Sequence, residues 1–162
     1  MCGAPTKPEE AGHVRRCTNP DCNASHFPRT DPAVIMLVHD GERCLLGRQA
    51  AWPHGMHSTL AGFVEPGESL EEAVAREVYE ETKIEIDDIT YHSSQPWPFP
   101  SSLMLGFHAR ARSTKIEVDK TELEAAHWYE KSWLLTHIDD EEFRLPRRDS
   151  IARRLLEDWL GR

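Results

Sequence analysis

At 162 residues the chain suits one compact domain with a small appendage, and its 39% hydrophobic content can fill a core. A net charge of −9 argues against a protein that grips long nucleic acid by overall charge, but leaves room for a nucleotide carried on metal ions. The longest apolar run, Ala33 to Val38, is too short to span a bilayer and the N-terminus has no signal-peptide core; the expected setting is cytoplasmic, with cysteines as thiols or metal ligands and no membrane partner.

Residues 1–25 are rich in Cys, Pro, Gly and charge and show neither helical nor strand period, so they read as a knuckle of loops. Cys17-Thr-Asn-Pro-Asp-Cys22 is a turn closed by two cysteines, half of a zinc site, and Cys2 can add a third sulfur. A tetrahedral structural site takes four ligands. His13 and His26 are further candidates without a compelling spacing, and Cys44 reads as a buried strand residue. Ala33 to Val38 is then a strand by composition, His39-Asp40-Gly41 a hairpin turn and Arg43 to Arg48 the returning strand. Ala51 to His57 reads as a loop and Ser58 to Val64 as a third strand.

Gly62 to Ile84, GFVEPGESLEEAVAREVYEETKI, is dense in carboxylates. Pro66-Gly67 marks a turn, and Ser69 with Glu72 forms a capping box that opens a helix from Leu70 to about Thr82. Leu70, Val74 and Val78 make its buried stripe. Glu77, Glu80 and Glu81 share one surface, and Arg76 can pair with Glu72 or Glu80. Crowded carboxylates repel. One reading is a solvated face laced by Arg76; the other is a site for a hard divalent cation, which takes oxygen ligands.

An extended segment follows from Ile84 to Tyr91. Pro96, Pro98 and Pro100 alternate, which forbids helix, discourages a central strand and leaves a stiff extended wall carrying Trp97 and Phe99. Leu103 to Arg112 reads as a strand, Ile116 to Lys120 as a short polar stretch and Ala126 to Tyr129 as a strand. Ser132 to Leu135 opens a short helix, residues 138–148 form a loop, and Ser150 caps a last amphipathic helix, Ile151 to Leu160.

The spacing of Gly62, Glu68, Arg76-Glu77-Val78, Glu80-Glu81 and Ile84 matches the Nudix box, G-x5-E-x7-R-E-U-x-E-E-x-G-U, with Lys83 where the pattern has Gly. That substitution bears on the helix exit, not on the carboxylates. Together with SQPWPFP-x-S at residues 94–102, the chain resembles the NADH pyrophosphatase branch of the Nudix hydrolases. VDKTELEAAHWY, SIARRLLEDW and the N-terminal cysteines extend the likeness over nearly the whole chain. The family ribbon begins with Cys-x-x-Cys-Gly. Cys2 aligns with the second of those cysteines, so the first would lie before Met1, the family's extra N-terminal domain would be lacking, and zinc would be held partially.

The resemblance implies an α/β fold, the Nudix α/β/α sandwich with a mixed sheet over residues 32–162, preceded by a zinc-ribbon-like segment over residues 1–31. It implies hydrolysis of NADH or NAD⁺ at the pyrophosphate, giving nicotinamide mononucleotide and AMP, with Mg²⁺ or Mn²⁺ at the site and structural Zn²⁺ on Cys2, Cys17 and Cys22. Ala61 (through its carbonyl), Glu77, Glu81 and Glu122 are the implied ligands of the catalytic cation, with Glu80 beside them and Arg76 orienting the carboxylates. Phe63 is the implied stacking partner of the nicotinamide; Phe27, Gln95, Ser102 and Ala152 are the other implied substrate contacts, Ala152 reaching in from the second subunit of a homodimer. Removal of NAD caps from RNA 5′ ends is the alternative activity, and Arg147-Arg148 and Arg153-Arg154 could meet an RNA backbone. A catalytically dead Nudix fold beside a ribbon that binds protein or nucleic acid is a third reading, which the intact box and Glu122 disfavour.

Overall fold

The computed structural model describes residues 2–138, 140 and 142–162; Asp139 and Glu141, in the loop expected over 138–148, lie outside the described residues. The chain divides into two compact units, Met1–Thr30 and Asp31–Arg162.

The smaller unit corrects the expectation of loops alone. Strands β1 (Thr6–Glu9), β2 (Val14–Cys17) and β3 (Ser25–His26) form an antiparallel sheet, with Thr6 opposite Cys17 and Arg15 opposite His26. A single 3-10 turn, Glu10–Gly12, joins β1 to β2, with Glu10, Ala11 and Gly12 all at positive φ. Its strands carry Pro8 and several charges and lack alternation, so partner pairing rather than propensity sets them.

In the larger unit β4 (Asp31–His39) is the central strand. It runs parallel to β8 (Ser102–Ala111) and antiparallel to β5 (Arg43–Arg48) and β6 (Leu60–Phe63), so the sheet is mixed. The order β7-β8-β4-β5-β9 is completed by β7 (Ile86–Trp97) at one edge and β9 (Ala125–Glu130) at the other. Both faces of β4 are covered, which is why its sequence is a continuous apolar run. Val34, Met36 and Val38 pack with Val74 and Val78 of α1 (Leu70–Thr82). Ile35 and Leu37 pack on the opposite face with Leu134 of α2 (Lys131–His137) and Ile151, Leu155 and Leu156 of α3 (Ile151–Leu160).

The proline-rich wall is strand as far as Trp97: Pro96 stands opposite Leu103. An edge strand tolerates a residue without an N–H, which reconciles Pro96 with pairing. The capping box forms as expected, Ser69 Oγ accepting from Glu72 N at 3.2 Å and Glu72 Oε2 from Ser69 N at 2.8 Å. Glu72 is thereby engaged, and Arg76 pairs elsewhere. Lys83 ends α1 in the left-handed conformation at φ 58°, its N–H on the Tyr79 carbonyl, the geometry for which Gly is the usual residue.

β4 pairs with β5 only at Val38 and His39, then with β6 from Ala33 to Met36. Where β4 passes from one partner to the other a cavity opens beside the N-terminus of α3 and the end of α1, and the candidate site is built there.

Candidate active site

The capping box starts α1 so that its third and fourth turns sit behind β6. Glu77 and Glu81 project there from one face and are buried, at 8% and 3% exposure. Glu122 joins them from the turn before β9. The ligating oxygens of the three carboxylates lie within 4.8 Å of one another. Gly62 of β6 permits this approach: a Cβ there would fall 1.8 Å from the Glu77 carboxylate carbon.

Arg76 organises the rim. Its Nε and Nη2 donate to Glu68 at 2.5 and 2.9 Å, Nη1 donates to Glu77 and Glu80 at 2.9 Å each, and Nη2 also reaches the Phe63 carbonyl at 2.9 Å. Every donor of the guanidinium fork is thus committed. Glu80 is an Arg76 partner as expected, while Glu72 is replaced by Glu68 from the loop before the helix. Arg76 holds the Glu68 carboxyl down at about 2, and Glu68 in turn raises the Arg76 value further. Glu81 has no such partner. Burial first, then the charges of Glu77 and Glu122, push its carboxyl up to about 8, and burial raises Glu77 as well.

Glu81 Oε2 is buried without a hydrogen-bond partner among the described residues. An anionic oxygen in that state is costly unless a cation meets it. Three carboxylates and no thiol or imidazole are the donor set of a hard divalent ion, so the residues fit one.

Ala61 and Glu81 line the cavity, which holds about 320 Å³. Trp52, Met56, Trp97, Met104 and Ile35 supply apolar walls, and Gln95 and Ala152 line it from β7 and α3. The Gln95 amide is engaged in structure, donating to the Asp149 carbonyl and accepting from the Ile151 N–H, both at 2.8 Å. Ala152 lines the cavity of its own chain, and the apolar face of α3 is packed on the chain's own sheet. Ser102 opens β8 opposite Trp97 and is not among the cavity's lining residues. Phe63 is 60% exposed on the same side of β6 as Ala61, outside the cavity. Phe27 belongs to the other unit and is 73% exposed. Sequence reasoning missed Trp52 and Met56: they sit in a loop whose only signal was turn composition.

In the smaller unit the Cys2, Cys17 and Cys22 sulfurs also lie within 4.8 Å of one another, Cys2 and Cys17 at 3.4 Å. The Ala4 backbone amide, then the Cys17 and Cys22 thiols, lower Cys2 to about 7. Three convergent thiols, one already acidic, fit zinc. His26 lines the hollow around them; His13 does not.

Comparison with known proteins follows this division. The NADH pyrophosphatase zinc ribbon domain matches residues 1–27 and the NUDIX domain residues 29–153. The chain is 46% identical to human "NAD-capped RNA hydrolase NUDT12" over 170 residues, 98% of this chain and 37% of that protein. It is 49% identical to "Nudix hydrolase 19, chloroplastic" of Arabidopsis thaliana over 159 residues, 94% of this chain and 36% of that one. With "NAD-capped RNA hydrolase NudC" of Mycobacterium tuberculosis the identity is 46% over 167 residues, 97% and 53% of the two chains. The chain therefore spans about half or less of the length of these curated relatives. Among solved structures, a NUDIX hydrolase from Nitrosomonas europaea superposes with a TM-score of 0.75 at 21% identity, over 99% of this chain and 88% of that one.

Proposed function

The chain belongs to the Nudix hydrolase family, and from that premise we propose that it hydrolyses the pyrophosphate of NADH or NAD⁺ to nicotinamide mononucleotide and AMP. The observation that carries this is the junction of a largely apolar cavity of about 320 Å³ with the carboxylate cluster at Ala61 and Glu81. A mononucleotide half fits such a space, and in this reading its phosphates lie beside the carboxylates. Glu77, Glu81, Glu122 and the Ala61 carbonyl would hold Mg²⁺ or Mn²⁺. Such ions neutralise phosphate oxygens and acidify water.

The protein's own groups do the rest. Arg76 fixes Glu77 and Glu80 so that one carboxylate of the cluster can take the proton of the attacking water. The water oxygen bonds to one phosphorus as the bridging P–O bond breaks, giving two monophosphates. Trp52, Met56 and Trp97 hold one ring in the cavity, and Phe63, whose ring is exposed, stacks on the other. Ser102 contacts the dinucleotide from the start of β8, and the zinc on Cys2, Cys17 and Cys22 is structural.

NAD-cap removal uses the same site, and the names of the NUDT12 and NudC relatives favour it as the second reading. The proposal extends to a homodimer in the cytoplasm. No disulfide joins the four cysteines, and no described helix is long and apolar enough to cross a membrane. With Mg²⁺ or Mn²⁺ the protein should cleave NADH to two mononucleotides far faster than it releases pyrophosphate from nucleoside triphosphates. A strong preference for triphosphates, read by chromatography of the products, overturns the substrate assignment.

A further inference from the structure

Arg48 ends β5 opposite Ala125 of β9, and its side chain is 16% exposed. On one side its Nη1 donates to the Pro53 carbonyl at 2.6 Å and to the Met56 carbonyl at 3.4 Å, while Nη2 donates to the Trp52 carbonyl at 3.2 Å. Residues 49–56 coil around the guanidinium in two turns, closed by Trp52 N on the Gln49 carbonyl and Met56 N on the Pro53 carbonyl, each at 3.1 Å. This is the loop whose Gln49, Trp52 and Met56 line the cavity.

On the other side Arg48 Nε meets Glu124 Oε2 at 2.6 Å, and the Glu124 N–H donates to the Arg48 carbonyl at 2.8 Å. Glu124 stands two residues beyond Glu122, and Leu123 between them lines the cavity. The far end of this short segment is tied to α1, because the Asp119 N–H donates to the Glu81 carbonyl at 2.9 Å. The Asp119 carbonyl in turn accepts from the amides of Glu122 and Leu123, at 3.2 and 3.0 Å.

We propose that Arg48 is a positioning residue that ties the nucleoside-binding loop 49–56 to the segment carrying Glu122, so that cavity wall and metal site are set by one guanidinium. The substrate part of this rests on the function proposed above; the metal part does not. A guanidinium suits the task because its planar fork can serve loop carbonyls and a carboxylate at once, and it stays charged when desolvated. A lysine ammonium could keep Glu124 but cannot span the Trp52, Pro53 and Met56 carbonyls together. The two arms of Arg48 are therefore separable by substitution.

The test uses Arg48→Gln, Arg48→Lys and Glu124→Gln in the full chain. It reads KM and kcat for NADH, Mn²⁺ affinity of the metal-free protein by electron paramagnetic resonance of free Mn²⁺, and folding by circular dichroism. Arg48→Gln should raise KM roughly tenfold with a much smaller change in kcat, since the lost bonds shape binding rather than chemistry. Its Mn²⁺ affinity should fall about threefold, less than for a residue bonded directly to a ligand. Arg48→Lys should restore Mn²⁺ affinity while KM stays high. Glu124→Gln should weaken Mn²⁺ and leave KM near the starting value once Mn²⁺ saturates. A folded Arg48→Gln protein with unchanged KM and unchanged Mn²⁺ affinity overturns the proposal. So does a lysine variant that matches the glutamine variant in both readouts. Should Arg48→Gln fail to fold, the split between Arg48→Lys and Glu124→Gln decides. If the parent protein does not cleave NADH, the substrate reading fails, while the Mn²⁺ measurements still judge Arg48.

Discussion

In the smaller unit three sulfurs converge on a three-stranded sheet whose buried apolar residues, among those described, are Val14 and Cys17. In the larger unit three carboxylates converge on a sheet that already buries an apolar cluster on each face. The first donor set stands in for a core that a short segment cannot build. The second works against the fold that holds it, because burying like charges costs stability until a cation arrives. Metal should therefore make the first structure and only relieve the second.

Stripping metal tests this contrast at its largest. A strong zinc chelator should unfold residues 2–30, since a structural zinc in a small motif contributes on the order of 10 kcal/mol. Amide signals of β1 to β3 should collapse to random-coil positions while those of β4 and β8 keep theirs. A ribbon that keeps its sheet without zinc, or a loss of both units together, breaks the contrast.

Within the larger unit Glu81→Gln separates chemistry from folding. Turnover should fall by roughly two orders of magnitude or more, as for a lost acid–base or electrostatic group. KM should change little, because ring contacts carry much of the binding. The metal-free protein should gain stability, since the substitution removes a carboxyl whose ionisation burial penalises. Glu71→Gln, on the exposed face of α1, should leave turnover unchanged. Equal losses in the two variants, measured under saturating Mn²⁺, would show that the wrong face of α1 has been chosen.

What was legible in the sequence was local. The apolar run of β4, the capping box of Ser69 and Glu72, and the four-residue spacing of Glu77 and Glu81 each depend on neighbours along the chain. The missed features depend on partners far along it. Arg76 takes Glu68 in preference to Glu72 because the loop folds back over the helix and Ser69 occupies Glu72. β7 runs through Pro96 because it lies at the sheet edge, which the prolines alone do not reveal. The ribbon strands form against each other without apolar alternation. Arg48 binds backbone carbonyls, and carbonyls leave no trace in a sequence.

The buried carboxylates also give the larger unit a pH signature. The Glu81 carboxyl rises from 4.5 in the ordinary state to about 8 in the fold. A group raised in this way binds its proton more tightly folded than unfolded. Glu81 should therefore make the metal-free protein lose stability as pH rises from about 4.5 to about 8, by on the order of a few kcal/mol, with Glu77 adding in the same direction and His39, His57 and His108, lowered by burial, opposing both below their ordinary 6.5. Mn²⁺ should flatten the slope by pairing with the ionised form, and Glu81→Gln should remove most of it. Thermal melts across that window, with and without Mn²⁺, measure both. A Glu81→Gln protein whose melts track the parent's across the window would mean that Glu81 is solvated.

The smallest expected effect lies at the other end of the same helix turn, where no metal is involved. Lys83 holds φ 58° and ψ 19°, a conformation costing a non-glycine residue about 1 kcal/mol or more. Glycine would adopt it freely, but would order a looser chain on folding and lose the Lys83 Nζ contact over the Tyr79 ring at 5.0 Å. These terms oppose one another, and the backbone term is the larger. Lys83→Gly should stabilise the larger unit by about 0.5 kcal/mol, a rise in Tm of about 1–2 °C, with turnover unchanged. Lys83→Asn tests the cause, because asparagine tolerates the left-handed region while keeping a side chain. If both variants melt below the parent, the contact with Tyr79 outweighs the backbone strain. If glycine alters turnover as well, the helix exit reaches Glu81 two residues away, and the division between fold and chemistry in α1 is narrower than one turn.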